Sequence, residues 1–155
     1  MPAGYGVEQA DEYVAWEAIE SWLRTSRHYW LATTRADGRP HVVPRWGVWL
    51  DGRFWYDGSP DTLHVRNLER DPRCALHLES GERATIVEGE SQRSEPIEGA
   101  LGERLASEFA AKYGSEYTPA PDAWSDEIAG GMRTITPVKV LAWTQFPKDL
   151  TRYIF

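Results

Sequence analysis

The sequence predicts a mainly antiparallel β-barrel with flanking helices. Three observations carry that expectation. Asp37-Gly38 and Asp51-Gly52 each lie between β-rich runs, and Asp-Gly in that setting is the strongest short hairpin signal. Two hairpins in close succession make a meander and not the alternating strand–helix order of a parallel sheet. The later β-rich runs at 73–79, 83–92 and 132–143 are again short and bounded by turn residues. Curling six or seven such strands into a closed or split barrel is the natural way to remove exposed sheet edges.

Each element has a local reason. Residues 8–26 read as a helix. Ala15, Ala18, Ile19 and Trp22 recur at helical spacing with Leu23 beside them, and Glu8, Asp11 and Glu12 suit the positive end of the dipole. Pro2, Gly4 and Gly6 before it suggest a loose arm. Residues 28–35, 40–50 and 53–57 form the first three strands; Pro44 and Gly47 inside the second point to an edge or a bulge. Ser59-Pro60 reads as a helix cap followed by proline at the first position, with a short helix through Leu68 that stops before Asp71-Pro72. In strand 73–79, Cys74, Leu76 and Leu78 share one face, Ala75 and His77 the other. After Ser80-Gly81 comes strand 83–92. Helix 99–113 aligns Leu101, Leu105, Ala106, Phe109 and Tyr113. Residues 114–131, broken by Pro119, Pro121 and Gly130-Gly131, read as an irregular crossing. Strand 132–143, interrupted by Pro137, and strand 151–155 complete the sheet. With no repeat and no linker, residues 1–155 read as one domain, an arm and helix over 1–27 and the barrel over 28–155.

Composition bounds the function. The 155 residues are 41% hydrophobic and 26% charged, as in a folded globular chain. A net charge of −7 argues against nucleic acid as main partner, though it leaves room for a local basic pocket. Cys74 is the one cysteine, which excludes an internal disulfide and a thiolate zinc site. A lone thiol suits a reducing compartment. No run approaches the ~18 apolar residues of a membrane span, and the first residues lack a basic-then-apolar secretory pattern. The expectation is therefore a cytoplasmic protein without a membrane role. The 8 tryptophans serve either core packing or a flat ligand.

Chemistry is sparse. G-x-S-x-G, H-E-x-x-H and P-loop motifs are absent, and His28, His41, His64 and His77 show no metal-ligand spacing. No metal centre is expected, and no catalytic side chain can be assigned. A chain of this kind leaves the chemistry to a cofactor. The start of the helix after Ser59 offers free amides for a phosphate, with Thr62, His64 and Arg66 close by. The same segment is also a plain connecting helix with Arg66 and Arg70 facing solvent, and spacing alone leaves both open.

The ordered motifs L-A-T-T-R-A-D-G-R-P-H-V-V-P, F-W-Y-D, T-L-H-V-R-N-L-E-R-D-P-R-C-A-L-H-L-E and I-V-E-G-E, with the ending T-R-Y-I-F, resemble the pyridoxamine 5′-phosphate oxidase-like split-barrel superfamily. The resemblance covers residues 28–92 well and 132–155 more loosely. It implies a homodimer that holds FMN, or in one branch the deazaflavin coenzyme F420, in clefts at the dimer interface. The ending Arg152-Tyr153-Ile154-Phe155 looks like the deazaflavin-reductase branch and lacks the R-L-x-P tail of the vitamin-making oxidase.

Carried over by position, Val43, Pro44, Arg45 and Trp46 would flank the ring, and Tyr56 and Asp57 the ribityl chain. Thr62, His64 and Arg66 would serve the phosphate. The family's [ST]-R-K triplet is kept only at Thr62; Leu63 and His64 depart from it, which removes two permanent cations. A protonated His64 or an inward-turned Arg66 would restore part of that charge. Asn67-Leu68 matches a structural N-[LI] pair. If 40–50 is one strand, Trp46 and Trp49 point to opposite faces, with Trp46 on the ligand and Trp49 in packing. The resemblance implies hydride transfer between FMN or F420 and a small conjugated substrate, with a proton from solvent, Tyr56 or His77. The alternatives are a non-catalytic flavin, haem or tetrapyrrole binder with an altered phosphate site, and a structural dimer with a vestigial site.

Overall fold

The computed structural model describes residues 12–155. Helix α1 (Trp16–Thr25) leads into β1 (Tyr29–Thr34), β2 (Pro40–Arg45), β3 (Val48–Leu50) and β4 (Arg53–Tyr56). Helix α2 (Leu63–Arg70) precedes β5 (Arg73–His77) and β6 (Ala84–Arg93). Helix α3 (Gly99–Tyr113) and a crossing with two short 3-10 turns lead to β7 (Arg133–Trp143) and β8 (Thr151–Ile154). The strands form one antiparallel sheet in the order β2-β1-β5-β6-β7-β4-β3, with β8 also on β7. The sheet curls into a half-barrel whose two ends, β2 and β3, are consecutive in the chain.

Two apolar cores hold it. The larger joins Ile19 and Leu23 of α1 to Tyr29, Leu31, Trp49, Phe54, Leu76, Val87, Ile135 and Val140 on the inner sheet face. The smaller packs Leu105, Ala106, Phe109 and Tyr113 of α3 against Val48, Leu50, Trp55 and Trp124. Each such large side chain removed from water contributes about 1.5–3 kcal/mol.

The first helix begins later than its periodicity predicts. Val14 N donates to Thr151 Oγ1 at 2.8 Å and Val14 O accepts from Tyr153 at 3.0 Å, so the backbone before α1 is tied to β8. Residues 8–11, with Glu8 and Asp11, and the arm at Pro2, Gly4 and Gly6 lie outside the described residues. The short helix also starts later. Ser59 O accepts from Thr62 N and from Thr62 Oγ1, at 3.3 and 3.1 Å, and this turn uses up Pro60 and Asp61, leaving Thr62 as cap.

The expected strand 40–50 is two strands, which adds one to the expected number. Gly47 does not continue the ladder. Its N–H donates to Tyr113 Oη at 2.8 Å and its carbonyl accepts from Lys112 Nζ at 3.1 Å, both on α3. A Cβ at Gly47 would sit 2.3 Å from Phe54 Cζ and 2.4 Å from Trp55 O. Gly47→Ala is therefore expected to cost about 1–3 kcal/mol by overpacking. Gly81→Ala, where nothing lies within 4 Å, should stay within about 0.5 kcal/mol of the parent. Urea unfolding of the two variants side by side checks this.

Candidate functional site

Arg45, the last residue of β2, reaches across the split to the residue that follows β4. One Nη donates to Asp57 O at 2.5 Å, and the guanidinium carbon stands 5.3 Å from the Tyr56 ring centroid. Arg45 is half-buried, its Nε has no partner, and among the described residues no carboxylate pairs with it. The Asp57 carboxylate is engaged elsewhere: Oδ2 accepts from Tyr117 Oη and, at 2.8 Å, from Trp124 Nε1. Burial and the bond to Asp57 hold the Tyr117 phenol well above its ordinary pKa.

Trp46 stands at the strand break. Its ring stacks on Tyr113 at 4.6 Å, and the Arg27 guanidinium lies 5.6 Å from the Trp46 ring and 5.3 Å from Tyr113. Pro44, Arg45, Trp46, Asp57, Phe109 and Tyr117 line an open cavity of about 280 Å³.

The barrel end beneath α2 is polar. Tyr56 is 1% exposed, its hydroxyl has no hydrogen-bond partner, and burial raises its pKa. The Tyr56 and His64 rings are 6.0 Å apart, and His64 Nε2 lies 3.4 Å from Thr62 Oγ1. His64 is 5% exposed and its pKa is pushed down to about 4, first by burial and then by the charges of Arg45, His41 and Arg133. Arg133, nearly fully buried, donates to Ser91 Oγ at 3.1 Å and pairs with Glu69 of α2. Asn67 Nδ2 donates to Thr33 Oγ1 at 3.0 Å and Leu68 enters the main core, so that pair ties α2 to the barrel.

The residues expected at the site therefore separate into groups. Pro44, Arg45, Trp46 and Asp57 meet at the cavity. Tyr56, His64 and Thr62 continue from Arg45 into the polar end. Val43 packs inward against the main core, while Arg66 stays exposed and does not turn inward. Trp49 packs in the main core with its Nε1 donating to Glu20 at 3.3 Å, and Trp55 in the second core. The alternation argument for Trp46 and Trp49 does not apply, because the strand ends between them. His77 stacks on Trp30 at 6.5 Å on the outer sheet face. Sequence reading missed Phe109, Tyr117, Trp124 and Arg133 as site residues. Tyr117 and Trp124 are aromatics inside an otherwise breaker-rich crossing, and that was the available signal.

Among the described residues no three His, Cys, Asp or Glu side chains gather as a metal site, and no helix is long and apolar enough to cross a membrane. Burial raises the Cys74 pKa to about 12, which favours the thiol over the thiolate near neutral pH. The first turn of α2 has no side-chain cap and no acidic residue, so its amides and Thr62 suit an anion. Leu63 and the uncharged His64 do not supply the two cations of the family triplet.

The pyridoxamine 5′-phosphate oxidase family matches residues 15–146, and the chain belongs to it. The family binds flavins. Solved structures share the fold. A conserved hypothetical protein from Mycobacterium tuberculosis is 24% identical, with 88% of this chain and 89% of that chain covered and a TM-score of 0.66. An F420 reductase is 19% identical over 81% of this chain and 96% of its own, with a TM-score of 0.57. The haem storage protein HutZ from Vibrio cholerae is 16% identical over 89% and 90%, also with a TM-score of 0.57. Among curated proteins none matches.

A His pKa lowered on folding means that the unfolded chain binds the proton more readily between the two values. The contribution of neutral His64 is thus complete above about pH 6.5 and is lost as pH falls towards about 4. Ring-resonance titration should find His64 neutral throughout pH 6–8, and the melting temperature of His64→Gln should fall less than the parent's between pH 6.5 and 4.

Proposed function

We propose that the chain is an oxidoreductase that holds a flavin, FMN or the deazaflavin F420, and reduces a small conjugated substrate. The observation that carries this is convergence. The strand end Pro44–Trp46, the Arg45–Tyr56 bridge and the open start of α2 meet at one side of the split in a family that binds flavins. The F420 branch is favoured by the ending Arg152-Tyr153-Ile154-Phe155 and by the F420 reductase among the structural neighbours.

In this reading Pro44, Arg45 and Trp46 flank the ring, Asp57 stands along the linking chain with the buried Tyr56 ring supporting Arg45 from behind, and Thr62 with the first amides of α2 receives the phosphate. When bound, the cofactor supplies the hydride. The chain supplies the rest. The aromatic wall of Trp46, Phe109 and Tyr117 excludes water. The Arg45 guanidinium offers fixed positive charge where a ring oxygen or substrate oxygen gains electron density. Tyr56 is buried and keeps its proton, and His77 sits on the outer face, so solvent is the proton source that fits.

The cofactor cleft is proposed to lie at a homodimer interface. Across the outer sheet face one row runs Val42, Ala32, Ala75, Glu88, Lys139 and Ile154, with Val138 nearby. Val42, Val138 and Ile154 are exposed there, and such a face suits burial against a second copy.

A specific observation favours a second reading. Leu63 and neutral His64 leave the phosphate seat without its usual cations, and haem-binding proteins share the fold. A haem or tetrapyrrole carrier without turnover would result.

Titration of the purified protein with FMN, F420 and haem separates the readings. Micromolar binding of FMN or F420 is expected, and haem binding alone would sink the oxidoreductase. Leu63→Arg, which restores one cation beside the helix start, should tighten flavin binding by about tenfold. An unchanged Kd would move the phosphate away from α2.

A further inference from the structure

We infer that the cavity beyond Trp46 takes a small planar ring carrying one carboxylate, with Arg45 as its counter-ion. Its role as the substrate pocket rests on the oxidoreductase reading above; its ligand class does not. Three features define that ligand. The volume of about 280 Å³ falls just below the range for ligand pockets, roughly 300–1,000 Å³, and admits one or two fused rings. The walls combine the aromatic faces of Trp46, Phe109 and Tyr117 with the polar groups of Arg45 and Asp57. Trp46 is braced from behind by Tyr113, and Phe109 meets Tyr117 edge-on at 5.3 Å, so the slot has rigid faces. Aromatic rings pack best on such faces.

The charge comes from what Arg45 lacks. Arg133 and Arg27, its neighbours in the polar end and behind Trp46, have Glu69 and Glu116 as counter-ions. Arg45 is half-buried, has no carboxylate partner among the described residues, and makes its one hydrogen bond to the Asp57 backbone. A cation withdrawn from water without a partner is costly, and an arriving carboxylate relieves that cost. The Asp57 side chain also lines the cavity, but Tyr117 and Trp124 hold its Oδ2. It leaves Arg45 unpaired, and its own charge opposes a ligand with two negative groups.

Isothermal titration of the purified protein with 2-naphthoate, 2-naphthylmethanol and 2-naphthylmethylammonium tests this without any cofactor. The acid is expected to bind about tenfold tighter than the alcohol, because a charge-assisted hydrogen bond to Arg45 is added, and the ammonium least of all. Trp46→Ala should weaken acid and alcohol alike. Arg45→Met should bring the acid down to the alcohol's affinity. Since Arg45 also bridges the split, the three-probe comparison on the parent protein decides even if that variant misfolds. Equal affinities for the three probes, or acid binding unchanged in Trp46→Ala, would overturn the assignment. Repeating the titration with the bound flavin at saturation tests the role. Retained acid binding supports a substrate pocket, and mutual exclusion overturns it in favour of the cofactor ring. Acid binding by a protein that binds neither flavin would sink the oxidoreductase reading and leave the ligand class standing.

Discussion

The site depends on how the backbone of Gly47 is satisfied. A buried N–H or C=O left unpaired costs about 1–3 kcal/mol, and at Gly47 no neighbouring strand takes either group. Helix α3 takes both, through the Tyr113 hydroxyl and the Lys112 ammonium. From this one junction follow the end of β2, the turn of Trp46 onto Tyr113, and the approach of Phe109 to the strand end. The absence of a side chain is what permits it, since Phe54 and the Trp55 carbonyl occupy the space a Cβ would need. Burial lowers the Lys112 pKa to about 8. Below that value it still carries the proton with which it holds Gly47 and the Tyr29 hydroxyl.

What the sequence made legible is what local chemistry decides. The two Asp-Gly turns, the apolar stripe of α3 and the break before Pro72 depend on neighbours in the chain, and α3 spans Gly99–Tyr113 as its periodicity predicts. The strand break at Gly47 was not legible, because its partners on α3 lie far along the chain. The partners of Asp57 were hidden for a related reason. Tyr117 and Trp124 lie in a crossing whose prolines and glycines mark only the absence of regular structure. Gly131, with φ of 77°, brings this crossing within contact of the Gly58 backbone. Such a segment is placed by tertiary packing, so its aromatics acquire a role only in three dimensions.

The site residues show the same division. Resemblance assigned Arg45 and Trp46 to the ring and Asp57 to the ribityl chain, and the three line one cavity. It could not say which way His64 faces. His64 lies on the buried side of α2 with Val65, Asn67 and Leu68, whereas Arg66 falls on the exposed side. About half a turn of helix therefore separates an imidazole held neutral from a guanidinium left in water. Neither position replaces a lysine or arginine aimed at a phosphate.

This leaves an uneven distribution of charge along the split. At the polar end Arg133 is balanced by Glu69, His64 is uncharged, and only amides and a hydroxyl await an anion. At the cavity end Arg45 is a permanent cation with no carboxylate partner among the described residues. A dianionic phosphate gains most from several cations, so the start of α2 by itself is a weak anchor for it. A ligand held mainly by its ring surface, with one negative group directed to Arg45, matches the charges the chain presents. In the proposed site Trp46, Phe109 and Tyr117 would supply most of the contact surface, and Arg45 would set orientation. A flavin anchored this way would depend on stacking more than on its phosphate.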